Sequence, residues 1–511
     1  MATVAAPWVR YRSRSGRWVL FATVLGTSMA FLDATVVNIA LPTIGEDLDT
    51  GLAGLQWTVN AYTLTLAGFL LLGGSLGDHF GRRRIFCLGA VWFAAASLLC
   101  GIAPTSETLI VARALQGIGA ALLTPGSLAI IEASFHPDDR GAAVGAWSGL
   151  GGVALSIGPF LGGYLIEAAS WRLIFLINLP IAAAVLWVAN RHVPETRDLS
   201  MAATPLDLRG AAFAAVGLGA VTYGLTAGPE RGWGSPVVLV LIVAGAVALA
   251  VFILLQRGRA GALVPLELFR SRQFSAANAV TFVVYAALGG ALFLLPIQLQ
   301  RAAGYSPLES GAALVPLTVV MLILSARAGR LAQRIGPRVP MSAGPIVAGC
   351  GLALLTIIDE TSPYVSTVLP GVLVFGLGLS LTVAPLTSTV LSAGGEEHAG
   401  VSAAINNTVA RVAGLIAVAI IPALAGISGT GALDAASFSD GFRRGMWIAA
   451  TVCVAGGLLA AATIRNPARS GTAASEPEPC SHCSLDAPPL RPLQDVHATE
   501  PVQDVAAAQS G

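Results

Sequence analysis

Long apolar runs separated by short polar stretches recur along almost the whole chain. Fourteen of them lie near residues 18–41, 54–76, 85–103, 109–131, 141–166, 171–189, 208–227, 237–256, 275–299, 308–327, 340–358, 364–387, 400–426 and 445–464. Each approaches or exceeds the roughly 20 residues that an α-helix needs to cross the hydrocarbon of a bilayer. The pattern predicts an all-α integral membrane protein with 14 transmembrane helices. Runs 141–166 and 400–426 are broken by glycines and are the least sharply delimited.

Arginine placement supports that count and orients the chain. All 29 basic residues are arginine. With both termini in the cytoplasm, 22 of them fall in the N-terminus, the tail and alternate loops. Five (Arg172, Arg231, Arg301, Arg443 and Arg444) fall in the opposite loops, and Arg113 and Arg411 lie inside runs. This asymmetry follows the positive-inside rule, and one span more or fewer in the first half would scramble it. The expected location is the cytoplasmic membrane. The first outer loop is acidic, with Glu46, Asp47 and Asp49.

Composition agrees. The chain is 55% hydrophobic and 11% charged, whereas soluble domains carry about 25% charged residues. A net charge of +1 argues against electrostatic nucleic-acid binding. The basic N-terminus (Arg10, Arg12, Arg14, Arg17) followed by an apolar run resembles a signal peptide. No small-residue cleavage site ends that run, so it is read as a retained first helix. The six cysteines form no disulfide pattern. Cys480, His482 and Cys483 supply three metal ligands at most, and a closed zinc site needs four, so no metal is expected. The tail is rich in Pro, Ser and acid and is expected to be disordered.

A faint internal repeat divides the chain. At an offset of 255, Gly74, Leu76, Gly81, Arg83 and Gly89 match Gly329, Leu331, Gly336, Arg338 and Gly344. Repeated halves around a midplane site are a common plan for transporters. The expected organisation is a cytoplasmic N-terminus at 1–17, a six-helix half at 18–189 and a linker with two extra transmembrane helices at 190–274. A second six-helix half follows at 275–464, then a cytoplasmic tail at 465–511.

Four stretches carry candidate chemistry. FLDATVVNIALP places Asp33 deep in the first run, the only acid well inside any of the fourteen; Glu132, Glu167 and Glu309 sit at run ends. Apolar surroundings disfavour the ionised form, so such a group can take a proton from one side and release it to the other. The face through Gly26, Ala30, Asp33 and Val37 leaves room beside it. The other reading is a fixed polar pair of Asp33 with Arg113 or Arg411. Arg113 is a permanent charge whose burial at a helix centre costs about 2.5–3.5 kcal/mol on insertion scales. It either faces the bundle interior or snorkels to an interface. GGSLGDHFGRRR is a tight loop: Gly81 can take φ > 0, and Asp78 is placed near the start of the third helix, where the dipole favours a carboxylate. GPFLGG gives a helix that can kink and approach its neighbours closely.

These stretches resemble signatures of the major facilitator superfamily. Gly74, Leu76, Asp78, Gly81, Arg82 and Arg83 match its loop 2–3 motif. His79 stands where that motif has Arg, and Gln333 replaces the Asp in the second copy. Arg113, Gln116, Gly117, Gly119 and Ala120 resemble its fourth-helix motif, and Gly158, Pro159, Gly162 and Gly163 its antiporter motif. Asp33, Thr35, Asn38, Ala40, Leu41 and Pro42 resemble the first-helix motif of its fourteen-helix drug:proton antiporters. The resemblance implies a major facilitator fold with two inserted helices, a conformational latch at the Asp78 loop, and a role for Arg113 in proton transfer.

The resulting expectation is proton-coupled export of hydrophobic or amphiphilic drugs or antibiotics by alternating access. The coupling residues are Asp33 and Arg113. With a single deep acid, neutral or monocationic substrates fit better than dications. The candidate substrate path comprises Asn38, Trp57, Tyr62, Gln116, Asn407 and Arg411. Asn60, Tyr285 and Gln298 are further cavity candidates, though each is also a residue type that packs or anchors at an interface. Asn407 and Arg411 are four apart and share a helical face; that face is either a polar path or a structural charge site. No phosphate loop, no Ser/His/Asp constellation and no ATP-binding domain is seen, so no enzymatic activity and no cofactor are expected, and the proton gradient is the energy source. The alternatives are a proton-coupled uptake carrier for a small metabolite and a non-transporting sensor or scaffold.

Overall fold

The computed structural model describes residues 8–197, 206–259, 261–360, 362–395, 399–427 and 435–466. The cysteine pair of the tail, Cys480 and Cys483, lies outside them. Fourteen described helices are long and apolar enough to cross a membrane. They are α1 (Arg14–Asp47), α2 (Leu52–Phe80), α3 (Arg82–Gly101), α4 (Ser106–Ser134), α5 (Pro137–Ala168), α6 (Leu173–His192), α7 (Leu208–Arg231), α8 (Pro236–Leu255), α9 (Arg272–Arg301), α10 (Pro307–Ile335), α11 (Arg338–Ile357), α12 (Tyr364–Gly394), α13 (Gly400–Leu424) and α14 (Ala436–Thr463). The glycine-broken fifth run is one continuous helix from Pro137 to Ala168.

Local chemistry sets several helix starts. The Ser13 hydroxyl accepts from the Gly16 N–H at the start of α1. Capping boxes, Thr105 with Thr108 and Ser306 with Glu309, begin α4 and α10. Such caps satisfy N–H groups that a helix leaves free at its first turn.

Helices α1–α6 pack chiefly among themselves, as do α9–α14. The inserted hairpin α7–α8 joins them through α7, which lies against α2 and α13. On α8, only Val238 and Gly245 are buried; a helix apolar on every side and packed on one edge presents the rest to lipid. The hairpin is stapled at its base by Asp207, whose side chain is fully buried. It accepts from Gly210 N at 2.9 Å, Arg259 Nη1 at 2.8 Å and Gln256 Nε2 at 2.6 Å. Asp207 sits just outside its apolar run, so the run pattern did not mark it as a buried acid.

The internal repeat is realised as matching turns. Gly81 and Gly336 both have positive φ, 110° and 90°. Behind each, the next helix starts under a side chain from the far end of the same half. Glu195 accepts from the Arg83 N–H at 3.1 Å, and the Asn466 carbonyl oxygen accepts from the Arg338 N–H at 3.0 Å. A Cβ on either glycine would press on that capping side chain.

The two halves meet closely near one membrane face. There Gln56 Nε2 donates to the Val418 carbonyl at 2.7 Å, Gln300 Nε2 to the Ile39 carbonyl at 2.9 Å, and the Ser306 hydroxyl to Glu167 at 3.1 Å. Towards the other face, which carries the Asp78 loop, a cavity of about 270 Å³ opens between α2, α4 and α13.

Gly81→Ala and Gly336→Ala are each expected to destabilise the fold by about 1–3 kcal/mol, because both add a left-handed alanine and crowd a helix cap. Thermal unfolding of the purified protein should show a lowered midpoint for each variant.

Candidate functional site

The centre of the first half is a closed polar network. Arg113 and Gln116 are three residues apart on α4 and so share a face, and that face meets Asp33 of α1. Arg113 Nη1 lies 2.5 Å from Asp33 Oδ2 and donates to Gln116 Oε1 at 2.6 Å, while Arg113 Nε donates to the Thr58 carbonyl of α2 at 3.1 Å. Gln116 Nε2 donates to Asp33 Oδ1 at 2.7 Å and to the Ser97 hydroxyl at 2.8 Å. Asn178 of α6 donates to the same hydroxyl at 3.3 Å. The guanidinium carbon stands 4.3 Å from the centre of the Tyr62 ring and 5.7 Å from that of Phe175. The Tyr62 hydroxyl donates to the Ala30 carbonyl.

This geometry decides between the sequence readings. The Arg113 side chain is 1% exposed and that of Asp33 is fully buried, so Arg113 does not snorkel. The space beside Asp33 is filled by a cation and an amide. Its carboxyl group receives two hydrogen bonds, one from the guanidinium and one from the amide. Its pocket is therefore not wholly apolar, because α4 delivers Arg113 from 80 residues away. Ser97, Asn178 and the Thr58 carbonyl complete the network, and as isolated polar groups in apolar runs they left no linear signal.

The Asp78 loop differs from expectation in one respect. Helix α2 continues to Phe80, so Asp78 lies in its last turn and not at the start of α3. The negative helix end disfavours a carboxylate there, and Arg82 compensates, pairing with Asp78 at 2.8 Å. Arg83 donates to the Val193 carbonyl at 3.1 Å and pairs with Glu195 at 3.6 Å. These partners all lie in the first half. Gly74, Asp78 and Arg82 line the open cavity with Glu132, Trp147 and Asn407.

The glycines of GPFLGG sit at the opposite end, where the halves touch. A Cβ on Gly158 would strike Thr35 of α1, and one on Gly162 would strike Val36. A Cβ on Gly163 would enter the backbone of Pro307 and Leu308 in α10. The Pro159 carbonyl in turn occupies the space where Gly311 lacks a side chain. Bare backbone on both sides permits this approach.

The remaining candidates divide. Asn407 lines the cavity. Arg411 lies one turn along the same helix and is half-buried. Tyr62 and Gln116 belong to the Asp33 network and are absent from the cavity wall. Trp57 packs on Tyr223 of the inserted helix α7, ring centres 5.7 Å apart, and Asn38 is half-buried on α1. Gln298 ties Ile358 and Ser439 together within the second half. Asn60 is fully buried, and both polar atoms of its side chain lack a partner.

Comparison with known proteins places this geometry in a family. Residues 23–418 match the model of the Major Facilitator Superfamily. The chain is 35% identical to the multidrug resistance protein Stp of Mycobacterium tuberculosis, over 80% of this chain and 76% of that protein. It is 36% identical to a methylenomycin A resistance protein of Bacillus subtilis, over 82% and 89%. A cephamycin export protein of Amycolatopsis lactamdurans is 33% identical over 85% and 92%. Among solved structures, a peptide transporter in complex with sulfate superimposes with a TM-score of 0.65 at 16% identity, over 90% of this chain and 96% of that one. A bacterial homologue of the lysosomal transporter Spinster, in an inward-facing and unoccupied conformation, gives 0.63 at 16% identity, over 88% and 98%.

Two outcomes test the site geometry. Asp33→Asn and Arg113→Gln should each cost about 3–5 kcal/mol, since each leaves a buried partner uncompensated, and the double variant should cost less than the sum; denaturation of the purified variants measures this. Gly163→Val should drive α5 from α10, so that a cysteine replacing the buried Ser310 reacts faster with a membrane-impermeant maleimide than it does in the Gly163 parent.

Proposed function

We propose that this chain, which belongs to the major facilitator superfamily, is a proton-coupled exporter of hydrophobic or amphiphilic small molecules. It works by alternating access across the cytoplasmic membrane. The reading rests chiefly on one observation: a buried carboxylate, Asp33, held by Arg113 and Gln116 at the centre of the first half. The names of the similar proteins, which concern drug and antibiotic resistance or export, support the direction and the kind of cargo. The arginine distribution puts both termini and the Asp78 loop in the cytoplasm. On that orientation the structure stands open inward and closed outward.

The network supplies the coupling step. With Asp33 ionised, Arg113 bridges α1 through the carboxylate and α2 through the Thr58 carbonyl. Protonation removes the negative charge, and the permanently charged guanidinium then holds α1 by a weaker hydrogen bond to a neutral carboxyl in place of an ion pair. Thr35 and Val36, two and three residues beyond Asp33, are the α1 residues against which Gly158 and Gly162 pack. The far side of that α5 segment seals against α10. A change in how α1 is held at Asp33 therefore bears directly on the outer seal. The cytoplasmic loop holds its ion pairs within the first half, which suits an open inner face, and closing that face would recruit the loop to the second half.

Asp33 is committed to Arg113, so it offers no free charge to a cationic substrate in this state. The preference for monocations drawn from a solitary acid loses its support.

Inverted vesicles loaded with a drug panel test the proposal. Asp33→Asn should lower gradient-driven accumulation by at least about 10-fold, the scale of one charge-assisted bond, for compounds the parent moves. An Asp33→Asn protein with parental rates and the same response to a protonophore would refute the coupling role.

A further inference from the structure

Two arginines, Arg113 and Arg411, lie deep within the apolar runs of the spans, away from the helix ends, and only one of them is spent. Arg113 is bound on three sides. Among the described residues, Arg411 donates no hydrogen bond and has no carboxylate within ion-pair distance.

Its position follows from helix register. Gln56 of α2 meets Val418 of α13, and the two helices run antiparallel. Counting back from that contact sets Tyr62 and Thr63 level with Arg411, and Asn60 level with Gly414. Asn407, one turn nearer the cytoplasmic loop, lines the open cavity. Arg411 therefore lies about one 5.4 Å turn deeper along the same helix. A Cβ added at Gly414, three residues further on, would find nothing within 4 Å, so there is open space beside the helix at that depth too. Asn60, at that same depth, keeps both polar side-chain atoms without a partner.

A guanidinium is permanently charged, and an unpaired charge at this depth is costly unless a counter-charge arrives. Arg411 is half-buried on α13, which packs against α2 and α9, too far inside to reach a lipid phosphate. Its forked donors match a carboxylate or a similar oxyanion.

We propose that Arg411 is the anion-recognition group of the translocation path, and that the preferred substrates carry an acidic group on an apolar frame. This rests on the exporter reading above and narrows its cargo to acids, in place of neutral compounds and monocations.

The test uses the full chain in proteoliposomes and matched probes on naphthalene, anthracene and pyrene frames, each made as a butyrate, its uncharged amide and a quaternary ammonium analogue. The parent should move the butyrates with the highest kcat/KM. Arg411→Gln should lower the butyrate-to-amide ratio of kcat/KM by about 10- to 100-fold, as expected for loss of a charged hydrogen-bonded pair, and Arg411→Lys should restore part of it. A purely structural role for Arg411 would lower all classes alike and leave the ratio unmoved, which overturns the proposal, as does an unchanged Arg411→Gln protein. A parent that moves amides or ammonium probes but no butyrate overturns the anion assignment and leaves the exporter reading standing. A parent that moves none of the nine probes, and whose deletion changes no drug sensitivity in cells, overturns both.

Discussion

A desolvated ion pair is the constraint around which the first half is built. Asp33 and Arg113 have given up water, and in a low-dielectric interior neither tolerates the loss of the other. The surrounding residues follow from that need. Gln116 takes the second carboxylate oxygen, the Thr58 carbonyl takes a further guanidinium N–H, and Tyr62 and Phe175 cover the cation. Ser97 of α3 then accepts from Gln116, and Asn178 of α6 donates to Ser97. Polar atoms from α1, α2, α3, α4 and α6 are thus drawn to one point. Helix α5, which contributes no atom to the network, is the helix whose glycine segment closes against α10 of the second half.

Small residues do at the interface what charge does at the centre. The outer seal is backbone against backbone, Gly163 on Pro307 and Leu308, and Gly311 on Pro159. Lipid chains are as apolar as leucine, so such contacts depend on close packing and not on hydrophobic expulsion. Contacts of that kind are broken and remade without dragging a charge through hydrocarbon. This separates the costly element, which stays inside one half, from the element that has to open.

Much of this was legible in the chain, for physical reasons. Fourteen spans were readable because a bilayer demands long apolar runs and because arginine avoids one side. Asp33 stood out because acids are rare at that depth. What could not be read was which polar groups meet. Arg113 was recognisable as a buried charge, but its burial against Asp33 depends on how α4 rotates beside α1, and run length says nothing of rotation. Asp78 was misplaced by a turn because the glycines around it read as a loop while the helix continued to Phe80. Asp207 escaped notice because it lies one residue outside an apolar run and is buried by a hairpin whose closure is a tertiary event. Trp57 read as a cavity wall, yet the inserted helix α7 covers it.

The repeat shows where the halves parted. The turn geometry is kept twice, with positive-φ glycines at 81 and 336 and a helix start capped from the end of each half. The charge is not kept. Glu195 caps the first turn and the neutral Asn466 the second; Gln333 stands for Asp78 and Leu288 for Asp33 at the same offset. Folding requires the turn in both halves, because each must start its third helix under a cap. A second desolvated acid would need a second buried cation to hold it, and the proposed coupling step uses one titratable group. The second half does contain such a cation in Arg411, but without the acid. A scaffold duplicated for packing has thus become asymmetric in charge: the first half balances its buried charge internally, and the second leaves a positive charge to be balanced from outside the chain.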